Sequence, residues 1–304
     1  MKLLNLIRWK NLLMIALVQL LIKYALLEPF GVNTSLNGVG ISILILATIC
    51  IAAAGNIIND ISDTETDAIN KPNKLIVGKN ISEKNAYNLF IIFNVTGVGL
   101  GFYLSHLVEK SAFFSLFVIV SVLLYIYATY LKRTLLVGNI IISILVALSL
   151  IFVGIFELLP SITSLNKQTQ LTFFKVIFDY ALFAFIINLL REIAKDIEDI
   201  DGDYKAGMNT LPIAIGRERS KNFLIILNFI PLLGIIYYIN SSLYKQPIAV
   251  SYFLLLIVGP LIYNSIKLFT AKTKSEFHHI SSVYKLIMLF GMLSLLLYKF
   301  VILN

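Results

Sequence analysis

Acidic residues are concentrated in two short windows of this 304-residue chain. Of its 17 aspartates and glutamates, ten lie in residues 60–67 and 192–203. At 3.6 residues per turn, aspartates at positions i, i+3 and i+7 fall within a sector of about 60° on one face of a helix. Each window has such a triplet: Asp60, Asp63 and Asp67 in the first, and Asp196, Asp199 and Asp203 in the second. Asn56 and Glu192 each precede their triplet by four residues, which suggests an internal duplication of a helical unit.

Such a stripe is suited to binding a divalent cation. Like charges on one helical face repel one another by roughly half a kcal/mol or less per pair, and a bound cation would remove that repulsion. Carboxylate and amide oxygens are the ligands that Mg²⁺ prefers, together with phosphate oxygens and water. Two clusters that face one another could therefore hold two or more ions around a diphosphate. The alternative, two solvated loops, does not explain why the same register occurs twice.

The other reactive residue types exclude several kinds of site. Cys50 is the only cysteine, so the chain by itself forms neither a disulfide framework nor a thiolate metal site. His106, His278 and His279 are too scattered for a histidine-rich metal centre. The formal net charge is +8, but basic loops beside a membrane explain this excess, so we expect no nucleic-acid binding.

The elements that must position the two windows are membrane helices. The chain is 58% apolar and only 14% charged, which indicates that lipid is its solvent. Apolar runs of about 17 to 25 residues, long enough to cross the hydrocarbon core, occur nine times. The predicted helices cover residues 12–27, 38–58, 89–107, 112–131, 135–159, 171–190, 223–239, 248–266 and 283–302. The acidic windows lie at the ends of the second and the sixth.

The distribution of lysine and arginine predicts the orientation of these helices. Basic residues are frequent at the amino terminus and after the even-numbered helices, whereas the alternate loops have few, Lys110, Lys167 and Lys245 among them. Basic loops are retained in the cytoplasm. We therefore predict a multi-pass protein of the cell inner (plasma) membrane, with the amino terminus and the acidic windows in the cytoplasm and the carboxyl terminus outside. No cleavage site follows the first apolar run, so we expect an uncleaved helix.

Three motifs in the chain resemble those of the UbiA family of membrane prenyltransferases. Residues 59–67 read NDISDTETD, like the family's NDxxDxxxD motif. Residues 195–212 read KDIEDIDGDYKAGMNTLP, which is similar to its DxxDxxGDxxxGxxTLP signature. Residues 127–139 read YATYLKRTLLVGN and look like its tyrosine and lysine element, with Tyr127 and Lys132 one residue further apart than in YxxxK.

The resemblance implies a fold and a set of site residues. The fold is an all-α integral membrane bundle of nine transmembrane helices around a central cavity open to the cytoplasmic side, formed as a single domain by residues 1–304. The residues expected to bind Mg²⁺ are Asn59, Asp60, Asp63, Asp67, Asp196, Asp199 and Asp203. Those expected to bind diphosphate are Lys132, Arg191, Lys71 and Lys74, unless they are ordinary basic loop residues. The residues expected to act in catalysis are Asp63, Asp67, Asp199, Asp203, Lys132 and Tyr127.

The chemistry implied is transfer of a polyprenyl group. Heterolysis of an allylic carbon–oxygen bond requires neutralisation of the leaving diphosphate, which Mg²⁺ and cationic side chains supply. The developing allylic cation requires a dry pocket, where the aromatic face of Tyr127, Tyr130 or Phe185 could stabilise it. The expected partners are a polyprenyl diphosphate donor, a lipid or aromatic acceptor, and membrane lipid.

Several acceptors and functions remain open. Residues 7–19, IRWKNLLMIALVQ, and residues 127–139 look most like the branch that transfers a geranylgeranyl group to geranylgeranylglyceryl phosphate in phospholipid biosynthesis. A quinone-pathway transferase with 4-hydroxybenzoate or a naphthoate as its acceptor is the alternative. A cation-coupled transporter is a more distant alternative. The acidic residues of a transporter would lie near the bilayer midplane, whereas those of this chain are predicted at helix ends. A structural scaffold would leave the repeated carboxylate register unexplained.

Overall fold

The computed structural model describes residues 2–70, 72 and 75–299. Apart from one isolated bridge between Val77 and Ile81, the secondary structure of these residues is helical. Nine of their helices are long and apolar enough to cross a membrane, as predicted. They are α1 (Trp9–Phe30), α2 (Gly38–Ser62), α3 (Glu83–Leu107), α4 (Ser111–Thr129), α5 (Val137–Leu158), α6 (Lys167–Lys205), α7 (Arg217–Leu243), α8 (Pro247–Thr270) and α9 (Lys274–Leu297).

The helices that carry the acidic windows extend beyond their apolar segments. α6 has 39 residues and is about 58 Å long, nearly twice the predicted length, because hydropathy marks only its lipid-embedded part. α2 ends at Ser62, and a short helix, Thr64–Asn70, follows it. Backbone hydrogen bonds from Asp63 N to Asn59 O (2.9 Å) and from Asp67 N to Asp63 O (2.7 Å) preserve helical spacing across the junction.

Side-chain caps fix the start of several helices. The Asn37 side chain accepts a hydrogen bond from the backbone N–H of Gly40 at 2.8 Å, which satisfies one free donor of the first turn of α2. Thr273 and Glu276 form a capping box at the start of α9. This box places the first turn of α9, including Lys274, beside the acidic end of α6.

α6 connects two apolar cores. Its first half packs through Ile177 and Ala181 against a core formed with α1 to α5. Its second half packs through Ile187 and Ile193 against a core formed with α7, α8 and α9. The helix that carries the second acidic window is thus held on both sides by apolar packing.

A buried ion pair joins α1 and α5 at the end of the bundle opposite the acidic windows. Lys23 Nζ lies 2.8 Å from Glu157 Oε1, and their side chains are 2% and 0% exposed. Lys23 also donates to the carbonyl of Leu36, and Glu157 Oε2 accepts from the backbone N–H of Leu36 at 3.1 Å. The pair therefore fixes the connection between α1 and α2 as well as the two helices. The mean hydropathy of α1 and α5 did not reveal this ion pair, because one charged residue hardly changes the mean hydropathy of an apolar helix.

Candidate active site

The two acidic windows face a single cavity of about 480 Å³. Asp63 and Asp67 enter it from the end of α2 and the short helix that follows. The second window contributes carboxylates from the polar end of α6: Asp196, Asp199 and Asp203. All five are residues for which the sequence predicts a metal-binding role.

Lys132 is held by the first acidic window. Its Nζ lies 2.6 Å from Asp63 Oδ1, and its side chain is only 8% exposed. Burial lowers the pKa of Lys132, an effect that the charge of Asp63 opposes. Asn59 Nδ2 donates to the other oxygen of Asp63 at 2.7 Å. A carboxylate, an amide oxygen and an ammonium group thus meet at one wall of the cavity.

Gly138 allows α5 to approach the segment that carries Lys132. A Cβ atom at Gly138 would lie 2.7 Å from Lys132 Cα and 2.8 Å from the carbonyl oxygen of Leu131. The next residue, Asn139, donates from Nδ2 to Asp196 Oδ2 at 2.8 Å. The Gly-Asn pair therefore links Lys132 to the second acidic window, a role that its sequence position alone did not reveal.

Asp60 differs from the other predicted metal ligands in its surroundings. Its Oδ1 accepts a hydrogen bond from Arg8 Nη2 at 2.8 Å, and it is absent from the described lining of the cavity. Arg8 adopts a left-handed backbone conformation, with φ of 53°, just before α1. Asn56 Nδ2 donates to the carbonyl of Ile7 at 3.0 Å and holds the same turn. In this structure Asp60 anchors the start of α1.

Asn70, three residues after the first acidic window, connects the short helix that carries Asp67 to the second window. Its Nδ2 donates to the carbonyl of Asp199 at 3.2 Å, and its Oδ1 accepts from the backbone N–H of Gly202 at 3.1 Å. A Cβ atom at Gly202 would lie 2.3 Å from the Asn70 side chain, so only glycine fits there without a shift. Asp199 is also contacted from α9, where Lys274 Nζ lies 3.5 Å from Asp199 Oδ1.

Of the other residues predicted to act at the site, some line the cavity and some do not. Arg191 and Tyr127 line the cavity, whereas Tyr130 is 66% exposed and Phe185 is not among the lining residues. Tyr127 is thus the tyrosine of the 127–139 motif that faces the cavity. Lys71 and Lys74 lie outside the described residues.

The described residues contain no group of three or more His, Cys, Asp or Glu side chains arranged to hold a metal ion by themselves. The donors that face the cavity are carboxylate and amide oxygens. Such a set fits Mg²⁺ that completes its coordination with phosphate oxygens and water, which is how proteins usually bind Mg²⁺ beside a phosphorylated substrate.

The inner part of the cavity is apolar. Thr48 lies 15 residues before Asp63 on α2, so the cavity extends about 22 Å along that helix. The apolar part is lined mainly by α4 and α5, through Val120, Leu124, Ile142, Leu145, Val146, Leu148 and Phe152. A polar mouth and an apolar interior fit an amphiphile with an anionic head and a hydrocarbon tail.

Comparison with known proteins identifies the family. The model of the UbiA prenyltransferase family matches residues 13–282. The chain belongs to this family. It is therefore a prenyltransferase, and its nine apolar helices make it a multi-pass membrane protein.

Relatives of this UbiA family member include archaeal enzymes named digeranylgeranylglyceryl phosphate synthase. The one from Methanosphaera stadtmanae is 32% identical over 258 residues, which cover 83% of this chain and 86% of the relative. A solved digeranylgeranylglyceryl phosphate synthase has the same fold, with a TM-score of 0.62 and 24% identity over 98% of this chain and 97% of that chain. A UbiA homologue from Archaeoglobus fulgidus bound to GPP and Mg²⁺ has a TM-score of 0.56 and 17% identity over 97% and 99% of the two chains.

Proposed function

We propose that the chain transfers a geranylgeranyl group from geranylgeranyl diphosphate to a hydroxyl group of geranylgeranylglyceryl phosphate. The C1–O bond to the diphosphate breaks, an ether bond from C1 to the acceptor oxygen forms, and the hydroxyl proton is released. The observation that carries the proposal is the single cavity in which two carboxylate windows and a buried lysine meet an apolar interior. The names of the relatives support the choice of acceptor.

The polar mouth would bind the donor's diphosphate together with Mg²⁺, which when bound neutralises charge on the leaving group. The residues that would hold the ions are Asn59, Asp63, Asp67, Asp196, Asp199 and Asp203. Lys132 would donate to a diphosphate oxygen, because Asp63 and Asn59 fix its ammonium group at the mouth. A homologue of the same fold from A. fulgidus was solved bound to GPP and Mg²⁺, which supports a prenyl diphosphate and Mg²⁺ as the ligands of the cavity.

The apolar interior would receive the prenyl chain and exclude water from the reacting carbon. Tyr127 lines the cavity, where its ring would stabilise positive charge that develops on C1. Excluding water at this point prevents hydrolysis of the allylic cation.

The orientation in the membrane is also part of the proposal. The acidic ends of α2 and α6 lie at the same end of the bundle as the basic residues Arg8 and Lys132. Because basic termini are retained inside, we place this end in the cytoplasm and the carboxyl terminus on the opposite side of the plasma membrane. The carboxylates lie at helix ends rather than at the bilayer midplane, which favours an enzyme over a cation-coupled transporter.

The proposed function is tested by product analysis. Purified protein is incubated with Mg²⁺, geranylgeranyl diphosphate and one acceptor at a time: geranylgeranylglyceryl phosphate, 4-hydroxybenzoate or a dihydroxynaphthoate. We expect only the first to yield a product, with the mass of digeranylgeranylglyceryl phosphate. A prenylated aromatic acid as the main product would instead support the quinone-pathway alternative.

A further inference from the structure

Lys285 places a positive charge inside the ninth spanning helix. It follows Lys274, the first residue of α9, by 11 positions, which puts it about 16 Å along the helix. Its Nζ donates to Asn11 Oδ1 on α1 at 2.6 Å, and Asn11 lines the cavity. Lys285 is half-buried where α1 packs against α9. It is not itself among the described residues that line the cavity, so it reaches the cavity wall through Asn11.

The charges around Lys285 are not balanced. Glu192 is shared by Arg191 and Lys195, each at 2.7 Å. The charged side chains that act on Lys285 include Arg191, Lys10 and Lys195, and all three are cations. Among the described residues no carboxylate pairs with Lys285. An excess of cations near a partly buried wall favours binding of an anion there.

Arg191 provides a second donor at this wall. Its Nη1 donates to Glu192, but its Nε is fully buried and has no hydrogen-bond partner among the described residues. A buried guanidinium nitrogen without a partner is costly, and an anionic oxygen would satisfy it. Arg191 lines the cavity, as Asn11 does.

This wall is displaced from the metal-binding part of the mouth. On α6, Arg191 precedes Asp196, the nearest proposed metal ligand, by five residues (about 7.5 Å along the axis) and Asp199 by eight (about 12 Å). On α9, Lys285 lies about 16 Å along the helix from Lys274, which is the residue beside Asp199. Arg191 and Lys285 therefore lie deeper than the carboxylates proposed to hold the donor's head group.

We propose that Lys285, Asn11 and Arg191 bind the phosphate monoester of the acceptor, at a site separate from the diphosphate site. The inference rests on the proposed function, because it presupposes a phosphorylated acceptor. Arg191, for which the sequence predicts contact with the donor's diphosphate, then contacts the acceptor instead. Binding the acceptor phosphate at this depth holds its hydroxyl, only a few bonds away, toward the donor carbon.

Steady-state kinetics of the purified full-length protein test this site. In Lys285→Gln we expect the KM for geranylgeranylglyceryl phosphate to rise tenfold or more, while the KM for geranylgeranyl diphosphate changes less than twofold. Lys285→Arg keeps the charge and should stay within about threefold of the unsubstituted protein for both substrates. Lys267→Gln, which removes an exposed lysine of the neighbouring helix α8, is the matched control and should change neither KM.

A second variant applies if Lys285→Gln does not fold. Asn11→Asp places a carboxylate beside Lys285 and would compete with the phosphate, so it should raise the same KM by tenfold, whereas Asn11→Ala should raise it less. The dephosphorylated acceptor, geranylgeranylglycerol, supplies a further comparison. The unsubstituted protein should use it poorly, and Lys285→Gln should not lower that residual rate.

The possible outcomes separate the two proposals. A rise in the donor KM instead of the acceptor KM would assign these residues to the diphosphate site and overturn the inference. Unchanged KM values, combined with loss of thermal stabilisation by added phosphatidic acid in Lys285→Gln, would show that the wall binds a bilayer phospholipid and would also overturn it. No transfer to geranylgeranylglyceryl phosphate by the unsubstituted protein would overturn the proposed function itself.

Discussion

Asn70 and Gly202 lock the two acidic windows together: the Asn70 amide accepts from the Gly202 backbone N–H at 3.1 Å in the space that a side chain at Gly202 would fill. Because Asn70 also donates to the carbonyl of Asp199, the short helix after α2 is aligned with α6 at the level of the carboxylates. This amide side chain thus helps to fix the distance between the two windows, on which shared binding of a diphosphate depends.

Gly202→Ala should disrupt this alignment. The added Cβ would lie 2.3 Å from the Asn70 side chain, so one of the two segments must move. We expect kcat/KM for the donor to fall tenfold or more while the protein stays inserted and monodisperse in detergent. Gly99→Ala, at a helical glycine with open space around its Cβ position, is the control and should leave activity unchanged. Equal activity of both variants would show that the Asn70 contact is dispensable.

Removing a carboxylate from either window should abolish transfer. Asp63→Asn and Asp199→Asn preserve shape but remove a negative charge, and we expect kcat to fall about 100-fold or more with the protein still folded. The Mg²⁺ concentration required for half-maximal rate should rise in any variant that retains measurable activity. Asp179→Asn, at an exposed carboxylate elsewhere on α6, is the matched control. Full activity of both window variants would contradict the proposed site.

Asp60 should behave differently from Asp63. Its carboxylate, 16% exposed, pairs with Arg8, which is 38% exposed, so loss of this partly buried pair should cost on the order of 1–2 kcal/mol of stability. We expect Asp60→Asn to lower the melting temperature slightly and to leave the Mg²⁺ dependence of the rate unchanged. A large increase in the Mg²⁺ requirement would restore Asp60 to the predicted set of metal ligands.

Lys132 should contribute to catalysis through its charge. Lys132→Met keeps the aliphatic chain but removes the ammonium group that lies 2.6 Å from Asp63. We expect kcat to fall about 100-fold, because one preorganised donor to the leaving group is lost. Lys132→Arg should recover part of that loss. If Lys132→Met lowered only stability, with kcat unchanged in the folded fraction, the lysine would be a structural partner of Asp63.

The Lys23–Glu157 pair should be important for stability and not for chemistry. Glu157→Ala leaves the buried Lys23 ammonium without its partner, which typically costs roughly 3–5 kcal/mol. We expect a clear drop in melting temperature in detergent, with unchanged KM values for the folded fraction. The double variant Lys23→Met with Glu157→Leu removes both charges and should recover much of the lost stability. If both variants were equally unstable, the ion pair would not explain the loss.

Features that depend on local patterns were predictable from the sequence. The register of Asp196, Asp199 and Asp203 follows from helical periodicity, and the number of spanning helices follows from the length of apolar runs. The extent of α6 did not follow, because the acidic residues that end its apolar run do not end the helix. A hydropathy profile shows where the lipid-embedded segment ends, whereas the end of a helix depends on its caps and on tertiary contacts.

Features that depend on distant contacts were not predictable. Arg8 and Asp60 are 52 residues apart, and Asn11 and Lys285 are 274 apart. At the level of the sequence Arg8 belongs to a basic terminus, Asn11 and Lys285 are isolated polar residues, and Asp60 belongs to the acidic triplet. Their roles arise only when the fold brings the two members of each pair into contact, and a single sequence carries no record of such pairs.

The burial of Lys23 against Glu157 has a consequence for biogenesis. The two residues are 134 positions apart, so at about 5–20 residues per second the ribosome needs on the order of ten seconds to synthesise the partner of Lys23. Until then the lysine must extend along its own helix toward the interface to keep its ammonium group hydrated. We therefore expect the first helix of the nascent chain to reach its final depth only after the fifth has been inserted.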